Sequence, residues 1–401
     1  MDTVALVFQS FLAIPVVAGS AFVVLTVVAS SLFMRRPPER LEIEQCRPTT
    51  LLKPVCGLEK SLEENLRSCC KQDHPDFHVV FSVQHSKDAA LPLLEKLQEE
   101  YGADRVSITI ATHAPMPNGK IHNLVGAMPA VRNEFLVVSD SDIYLEKDYL
   151  RTITAPLQDP GVGFVCTPYK GVQADTWYET FEILSLHDYT NQVVFAWMTG
   201  ASGFLLGGSV AFRRSDLDKI GGFEPLQDYL VEDYEMGERL RKLGGRQQVL
   251  PSLVDTVIDL PSPKSWWDHM VYWDQNTWAA RPGGFLATIL IRPLPFAVLL
   301  LLARGFDALG WSVLGATLAI RLAGAASTMR SLGDREGLRG LGWLPLRDIA
   351  GLASWAAALR RRDLVWRGLR FDLTREGRLV PRDPKAAAVG TASHSNGRPS
   401  S

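Results

Sequence analysis

The chain has 401 residues, of which 46% are hydrophobic, and a formal net charge of −2. A near-neutral chain lacks the basic excess that contacts with nucleic-acid phosphates require, so we exclude nucleic acid as a partner. The length allows one large soluble domain together with further elements. An odd number of cysteines without a C-x-x-C pair argues against a disulfide framework or a structural zinc site and favours a reducing compartment. The five are Cys46, Cys56, Cys69, Cys70 and Cys166.

An apolar segment at residues 5–33 is long enough to cross a bilayer, which takes about 20 residues. Its start is acidic, and the basic residues follow it as Arg35, Arg36 and Arg40. The positive-inside tendency therefore predicts an N-terminal transmembrane anchor over 1–36, with the N-terminus outside and the following domain in the cytoplasm.

The next part of the chain, 48–262, alternates short apolar runs with amphipathic stretches. The runs predict strands over 49–57, 77–84, 106–111 and 135–140, and helical spacing of apolar residues predicts helices over 59–71, 91–102 and 119–131. This alternation predicts an α/β domain with a mostly parallel sheet. Ligands of such sheets bind beyond the carboxyl ends of the strands, which is where Asp140 and Asp142 fall.

Asp140 and Asp142 form a D-x-D triplet directly after a buried strand. Two carboxylates so spaced can hold Mg²⁺ or Mn²⁺ against a nucleotide diphosphate. Taken alone, such a triplet is more often a surface turn.

A second acidic pair, Glu232–Asp233, opens a predicted helix over 231–244. One interpretation is stabilisation of the helix N-terminus by acids in its first turn. The other is a general base presented to an acceptor hydroxyl. The spacing favours neither. A glycine-rich stretch at 199–208 allows close backbone approach to a ligand, or forms a plain turn.

The last third of the chain is rich in aromatic and apolar residues. Four tryptophans and Tyr272 lie within 263–284, which predicts an interfacial aromatic helix, with a core helix as the alternative. Apolar stretches within 285–330 predict a pair of spans, or one span and a re-entrant segment. We predict that residues 331–380 form an interfacial or cytoplasmic segment and that residues 381–401 form a disordered tail.

The order of these motifs resembles the ceramide glucosyltransferase family of inverting glycosyltransferases, family 21, including its bacterial hopanoid-biosynthesis branch. The resemblance rests on "KPVCGLEKSLEENLRS", "SVQHSKDAA", "NGKIHNL", "SDSDI", "GASGFLLGGS" and "VEDYEMGERLRKLGGR", followed by the aromatic segment. It covers roughly 48–300, and it implies a GT-A fold that binds a nucleotide sugar.

The resemblance also implies roles for the matching residues. Asp233 matches the third aspartate of the family, the proposed catalytic base. Asp140 matches the second aspartate, and Asp142 completes a site for a divalent cation. The residues implied on the donor side are Asp88, Lys120, Asn123 and Asp140.

One motif departs from the family pattern, which ends in (Q/R)-x-x-R-W. Residues 274–278 read D-Q-N-T-W, so Trp278 is kept and Thr277 stands in the arginine position. We hypothesise that Arg281, one helical turn beyond Thr277, takes over on the acceptor or diphosphate side.

The expected reaction is inverting transfer of N-acetylglucosamine from UDP-GlcNAc to a hydroxyl of a hopanoid polyol, bacteriohopanetetrol, at the cytoplasmic face of a bacterial inner membrane. The partners implied are a UDP-sugar, a lipid acceptor and the bilayer, and the cofactor is a divalent cation. The alternatives are transfer of glucose from UDP-glucose to ceramide, a processive polysaccharide synthase, and a catalytically inactive membrane scaffold.

Overall fold

The computed structural model describes residues 3–201, 207–361, 363–366, 369–374 and 377–382. The chain divides into two compact units. We call them the sheet unit (Pro37–Tyr169, Gly203–Val257 and Arg362–Ser401) and the helical unit (Met1–Arg36, Lys170–Ser202 and Ile258–Arg361).

The elements within the described residues are as follows. The helices are α1 (Thr3–Met34), α2 (Leu62–Cys70), α3 (Leu91–Tyr101), α4 (Gly119–Ala127), α5 (Tyr149–Ile153), α6 (Trp177–Met198), α7 (Arg214–Lys219), α8 (Glu232–Lys242), α9 (Pro263–Ala280), α10 (Pro282–Ala287), α11 (Pro293–Ala303), α12 (Ala308–Ser331), α13 (Arg335–Gly340) and α14 (Leu344–Arg360). The strands are β1 (Thr49–Pro54), β2 (Phe77–Val83), β3 (Val106–Ile110), β4 (Phe135–Ser139), β5 (Ile143–Tyr144), β6 (Val162–Cys166), β7 (Tyr169–Val172), β8 (Ser209–Arg213), β9 (Arg246–Val249), β10 (Val254–Val257), β11 (Asp363–Trp366), β12 (Leu369–Leu373) and β13 (Leu379–Pro381).

The sheet unit is built on a seven-stranded sheet in the order β3-β2-β1-β4-β8-β6-β9. Strand β8 runs antiparallel to both of its neighbours, and the other pairs are parallel. Every residue of β1, β2 and β4 is buried, as expected where helices cover both faces of a parallel sheet. The predicted α/β class with a mostly parallel sheet is therefore confirmed, and the carboxyl ends of β1, β2 and β4 lie at one edge.

The predicted strands and helices of the sheet unit are observed within a few residues of their expected bounds. Helix α8 corresponds to the predicted helix over 231–244, and it ends before Gly244, which has a left-handed backbone with φ of 93°. Glycine takes this conformation without steric cost, which explains why the helix stops there. None of the five cysteines, all of which lie within the described residues, takes part in a disulfide.

The C-terminal strands β11–β13 form a small antiparallel sheet that belongs to the sheet unit. It is bonded to the loop before α8: the Leu230 N–H donates to the Gly377 carbonyl (3.0 Å), and the Leu379 N–H to the Asp228 carbonyl (2.7 Å). The Arg378 guanidinium carbon lies 5.2 Å from the centre of the Tyr229 ring. Beyond residue 382, the predicted tail over 381–401 lies outside the described residues.

Within the helical unit, α1 and α12 are long and apolar enough to cross a membrane. The two helices pack closely at Gly324, where an added Cβ would lie only 2.3 Å from Val23 Cγ1. The absence of a side chain at this glycine allows the close approach. The segments Pro282–Ile291 and Pro293–Ala303 together meet the same test of length and composition, but they are bent by 56° at Arg292. Among the described residues there are thus two candidate spans, or three if the bent pair counts as one. The bend fits either a broken span or a re-entrant segment over 285–303.

Helix α9 carries the aromatic segment that we expected at the membrane interface. Trp266 is buried, with its ring 5.3 Å from that of Phe181 and Met270 packed beside it. This tryptophan packs inside the helical unit, and the interfacial position of the helix stays a prediction. The helix ends at Ala280, short of the predicted 284, because the residue before Pro282 is pushed towards an extended backbone.

The compact units divide the chain differently from the predicted domain boundaries. Helix α6 lies within the predicted soluble domain over 48–262 but belongs to the helical unit. The physical reason is its packing, since Phe181 contacts Trp266 and Leu184 contacts Met329, both in that unit. Strands β11–β13, most of which fall in the predicted segment over 331–380, belong to the sheet unit.

Candidate active site

Asp140 and Asp142 follow β4 at the edge where β1 and β2 also end. The Asp140 N–H donates to the Gly208 carbonyl (3.0 Å), and the Asp142 carbonyl accepts from the Val257 N–H (2.9 Å). These backbone bonds connect the D-x-D turn to the residue before strand β8 and to the last residue of strand β10. The turn is therefore part of the ordered edge of the sheet.

Lys120 joins the two acidic motifs that the sequence places 90 residues apart. Its Nζ lies 2.7 Å from Asp140 Oδ1 and 3.4 Å from Glu232 Oε1, and it donates to the Gly207 carbonyl (3.0 Å). Burial opposes the charge on Lys120, but the neighbouring carboxylates of Asp140, Glu232 and Asp233 raise its pKa above the ordinary lysine value. The D-x-D turn and the start of α8 thus meet around one ammonium group.

Asn118 positions Lys120. Its side chain caps α4 by accepting from the N–H groups of Lys120 (3.0 Å) and Ile121 (3.1 Å). The same side chain donates to Glu232 Oε2 (3.1 Å) and to the Tyr229 carbonyl (3.0 Å). Sequence reasoning missed Asn118, although its place directly before a predicted helix is the usual signal of a capping residue.

Asp233 is the second residue of α8 and lies against Gly207, so closely that a Cβ there would be 2.4 Å from Asp233 Oδ2. Its Oδ1 accepts from the Tyr234 N–H (2.7 Å). Burial, followed by the charge of Glu232, raises the pKa of Asp233 to about 7. Such a carboxyl group titrates near neutral pH and is suited to accept a proton.

Asp142 is also an unusually basic carboxylate. Burial and the charges of Asp140 and Glu59 raise its pKa to about 7. Glu59, which sequence reasoning did not single out, accepts a hydrogen bond from Ser141 Oγ (2.6 Å) between the two aspartates. The turn therefore concentrates negative charge.

These carboxylate oxygens fit a hard divalent cation, which Mg²⁺-type sites hold with one or two carboxylates, water and substrate phosphate. No group of three or more His, Cys, Asp or Glu side chains arranged to hold a metal occurs in the part of the chain that the structure describes. Asp140 and Asp142 would thus supply only part of a coordination shell. The metal role of this pair stays a prediction.

Asp88 and Asn123 both bind the backbone that follows β1. Asp88 is buried, and its Oδ1 accepts from the N–H groups of Gly57 and Ala90 (2.9 Å each). Asn123 Nδ2 donates to the Val55 carbonyl (2.9 Å). These two residues shape the turn at the end of β1, and their predicted contacts with a donor remain predictions.

Trp278 and Arg281 belong to the helical unit. The Trp278 ring lies 5.7 Å from that of Phe285, edge to face, and Arg281 Nη1 donates to the Ala201 carbonyl (3.3 Å). Arg281 follows the last residue of α9, and its N–H closes the final turn on the Thr277 carbonyl (2.9 Å). Its proposed substitution for the missing family arginine remains a hypothesis.

A cavity of about 20 Å³ adjoins Lys120, Glu232 and Asp233. That volume holds one water-sized group. Of the predicted glycine-rich loop over 199–208, residues 202–206 lie outside the described residues.

Comparison with known proteins identifies the family. The model described as "Glycosyl transferase family 21" matches residues 12–379. The chain belongs to glycosyl transferase family 21. The predicted family resemblance is therefore confirmed.

Relatives of this family 21 chain include ceramide glucosyltransferase 1 of Caenorhabditis elegans, which is 25% identical over 202 residues, 49% of this chain and 42% of that protein. Poly(ribitol-phosphate) beta-N-acetylglucosaminyltransferase TarS of Staphylococcus aureus is 28% identical over 125 residues, 31% of this chain and 21% of that protein. The chain spans less than half the length of these curated relatives.

Among solved structures, the mannosyltransferase PcManGT from Pyrobaculum calidifontis, in complex with GDP-Man and Mn²⁺, aligns with a TM-score of 0.52. The sequences are 19% identical, and the alignment covers 87% of this chain and 98% of that chain. This likeness supports the predicted GT-A fold.

Proposed function

We propose that this family 21 chain is a membrane-bound, inverting hexosyltransferase that moves a sugar from a UDP donor to a lipid hydroxyl. The observation that carries the proposal is the meeting of Asp140 and Glu232–Asp233 around Lys120 at the carboxyl edge of the sheet. Helices α1 and α12, both long enough to span a bilayer, support a lipid as the acceptor.

In the proposed reaction, Asp233 accepts the proton of the acceptor hydroxyl as its oxygen attacks the anomeric carbon from the face opposite the diphosphate. The new carbon–oxygen bond forms while the bond to the phosphate oxygen breaks, and UDP leaves with the electron pair. A pKa of about 7 leaves much of Asp233 ionised at neutral pH, and it also makes the carboxylate a stronger base than an exposed aspartate.

Asp140 and Asp142 would hold Mg²⁺ or Mn²⁺. A bound cation would neutralise the charge on the departing diphosphate. Lys120 orients Asp140 through its 2.7 Å contact and lies 3.4 Å from Glu232 Oε1. Asp88 and Asn123 hold the turn after β1, which would form one wall of the donor site.

For the substrates, we propose N-acetylglucosamine from UDP-GlcNAc and a hopanoid polyol such as bacteriohopanetetrol, at the cytoplasmic face of a bacterial inner membrane. The departure at 274–278 from the ceramide-type ending supports this choice, as does the N-acetylglucosaminyltransferase name of the relative TarS. The second candidate is transfer of glucose from UDP-glucose to ceramide, which the name of the relative from Caenorhabditis elegans favours.

The test is to incubate membranes carrying the full chain with labelled UDP-sugars and lipid extracts, and to identify the lipid product by mass. The Asp233→Asn variant is the matched control: we expect it to bind UDP with unchanged affinity but to form no product. Normal transfer by this variant would exclude Asp233 as the base. An absence of cation-dependent UDP binding by the unmodified chain would favour the inactive-scaffold alternative.

A further inference from the structure

The helical unit contains a cavity of about 120 Å³ that the proposed mechanism does not use. Residues of α6, α9, α12 and α14 line it, together with the bent pair of segments around Arg292. One water molecule needs about 10–15 Å³, so the cavity has room for several water-sized groups.

A network of buried charges forms one wall of this cavity. Arg321, from the candidate span α12, donates to Asp188 (2.6 Å) and Asp348 (2.8 Å). Arg347 donates to the same two aspartates, and its Nε donates to Ser185 Oγ (3.0 Å). Ionisable groups in membrane-spanning helices are costly, and where they occur they commonly mark a ligand site or pathway.

The backbone break at Arg292 opens onto the same cavity. Non-helical backbone at membrane depth is tolerated where it is buried in protein or lines a polar cavity. Arg292 lies 3.7 Å from Asp274, whose other oxygen accepts from Ser354 Oγ (2.7 Å). A Cβ at Gly351 would be 2.8 Å from Arg292 Nη1, so the glycine makes room for the guanidinium.

Two residues that line the cavity each carry a buried polar atom with no hydrogen-bond partner within the described residues: Glu182 Oε2 and Arg292 Nε. Glu182 is only 2% exposed, and its other oxygen lies 3.0 Å from His269 Nδ1. A buried polar atom without a partner destabilises the folded chain, and a ligand that supplies the missing hydrogen bond offsets that cost.

The charges around the cavity are largely paired within the protein. The acids and their partners are Asp188 and Asp348 with Arg321 and Arg347, Asp274 with Arg292, and Glu182 with His269. An anionic ligand would therefore find each guanidinium that lines the cavity already paired with a carboxylate.

The two atoms without partners, Glu182 Oε2 and Arg292 Nε, also indicate which chemical group the cavity can bind. A hydroxyl can donate to the Glu182 carboxylate and accept from the Arg292 N–H, whereas a phosphate dianion can only accept. We infer that this cavity binds the uncharged, hydroxyl-bearing head of a lipid. The identification of this lipid as the acceptor rests on the function proposed above.

The experiment measures equilibrium binding to the full chain in nanodiscs, without nucleotide, so that it is independent of transfer. Three radiolabelled probes share one acyl chain: monolauroylglycerol with two hydroxyls, lauroyl lysophosphatidic acid with a phosphate, and methyl laurate without either. We expect saturable binding of monolauroylglycerol, and at least tenfold weaker binding of the other two.

Two variants locate the site. Glu182→Met removes an unpartnered acceptor, and Thr288→Phe fills the cavity without altering a charge; each should weaken monolauroylglycerol binding at least tenfold. Glu336→Met is the matched control, because Glu336 pairs with Arg339, away from the cavity, and it should bind normally. Unchanged UDP binding and circular dichroism show that a variant is folded.

The inference is overturned if lysophosphatidic acid binds as tightly as monolauroylglycerol, or if a folded Thr288→Phe variant binds like the unmodified chain. A chain that transfers sugar but does not bind monolauroylglycerol would refute the cavity assignment and leave the proposed function intact. Binding that is abolished by Thr288→Phe, in a chain that transfers no sugar, would support the cavity and count against the proposed function.

Discussion

Replacement of Gly207 by alanine tests the position of Asp233 without removing a charge. The added methyl carbon would lie 2.4 Å from Asp233 Oδ2, 3.0 Å from its Cγ and 3.2 Å from its Cβ. Ordinary van der Waals contact begins at 3.4 Å, so the nearest oxygen is about 1 Å too close. Because the carboxyl carbon and Cβ are crowded as well, rotation of the carboxylate alone does not relieve the overlap.

A displacement of about 1 Å from the productive geometry can lower a rate on the order of 100-fold. At about 1.36 kcal/mol per tenfold change, this corresponds to roughly 2.7 kcal/mol of transition-state stabilisation. We therefore expect the Gly207→Ala variant to have a kcat about 100-fold below that of the unmodified chain, with UDP affinity changed by no more than a few-fold.

The assay compares initial rates of labelled-sugar transfer at saturating donor with UDP affinities from titration calorimetry. Gly315→Ala is the matched control, since a Cβ at that position of α12 meets nothing within 4 Å. A folded Gly207→Ala variant that retains more than about a third of the normal rate would contradict the placement of a catalytic base at Asp233.

Three further predictions concern the same edge of the sheet. Asp140→Asn should abolish Mn²⁺-dependent UDP binding, because it removes a ligand oxygen; titration with and without EDTA measures this. Glu232→Gln should move the acidic limb of the kcat/KM–pH profile below pH 7, because loss of the Glu232 charge lowers the pKa of Asp233 and leaves the base ionised at lower pH. Arg378→Ala should lower the melting temperature and reduce transfer a few-fold. The reason is that the cation–π contact of Arg378 with Tyr229, about 0.5–1 kcal/mol, stabilises the loop before α8. Thermal unfolding and initial-rate assays measure the two effects.

Local patterns in the sequence predicted the elements that carry the site. Alternating apolar runs and helical spacing predicted the strands and helices of the sheet unit, and with them the position of Asp140 at a strand end and Asp233 at a helix start. Each of these features depends on residues close together in the chain, so periodicity and capping signals are sufficient to find them.

Long-range contacts could not be predicted in the same way. The contact of Lys120 with Asp140 depends on the sheet order, which places β4 beside β1. The backbone role of Asp88 depends on the turn at Gly57, which lies 31 residues away. The membership of α6 in the helical unit depends on packing against helices much later in the chain, and its own composition resembles that of a soluble core helix.

The charged cavity of the helical unit was also beyond sequence reasoning. Asp188, Arg321 and Asp348 come from three helices that are separated by up to 160 positions, and no local pattern in the sequence connects them. In the sequence, Arg292 only interrupts an apolar stretch. Its proximity to Asp274 became visible only in the folded helical unit.

The bonds from Gly377 and Leu379 to the loop before α8 have a consequence for the order in which the protein matures. A chain leaves the ribosome from its N-terminus, so these backbone partners are made after α8 and after every helix of the helical unit within the described residues. Helices α1 and α12 have emerged by then and are available to the insertion machinery. The loop before α8 therefore gains these two backbone bonds only after α1 and α12 have been synthesised.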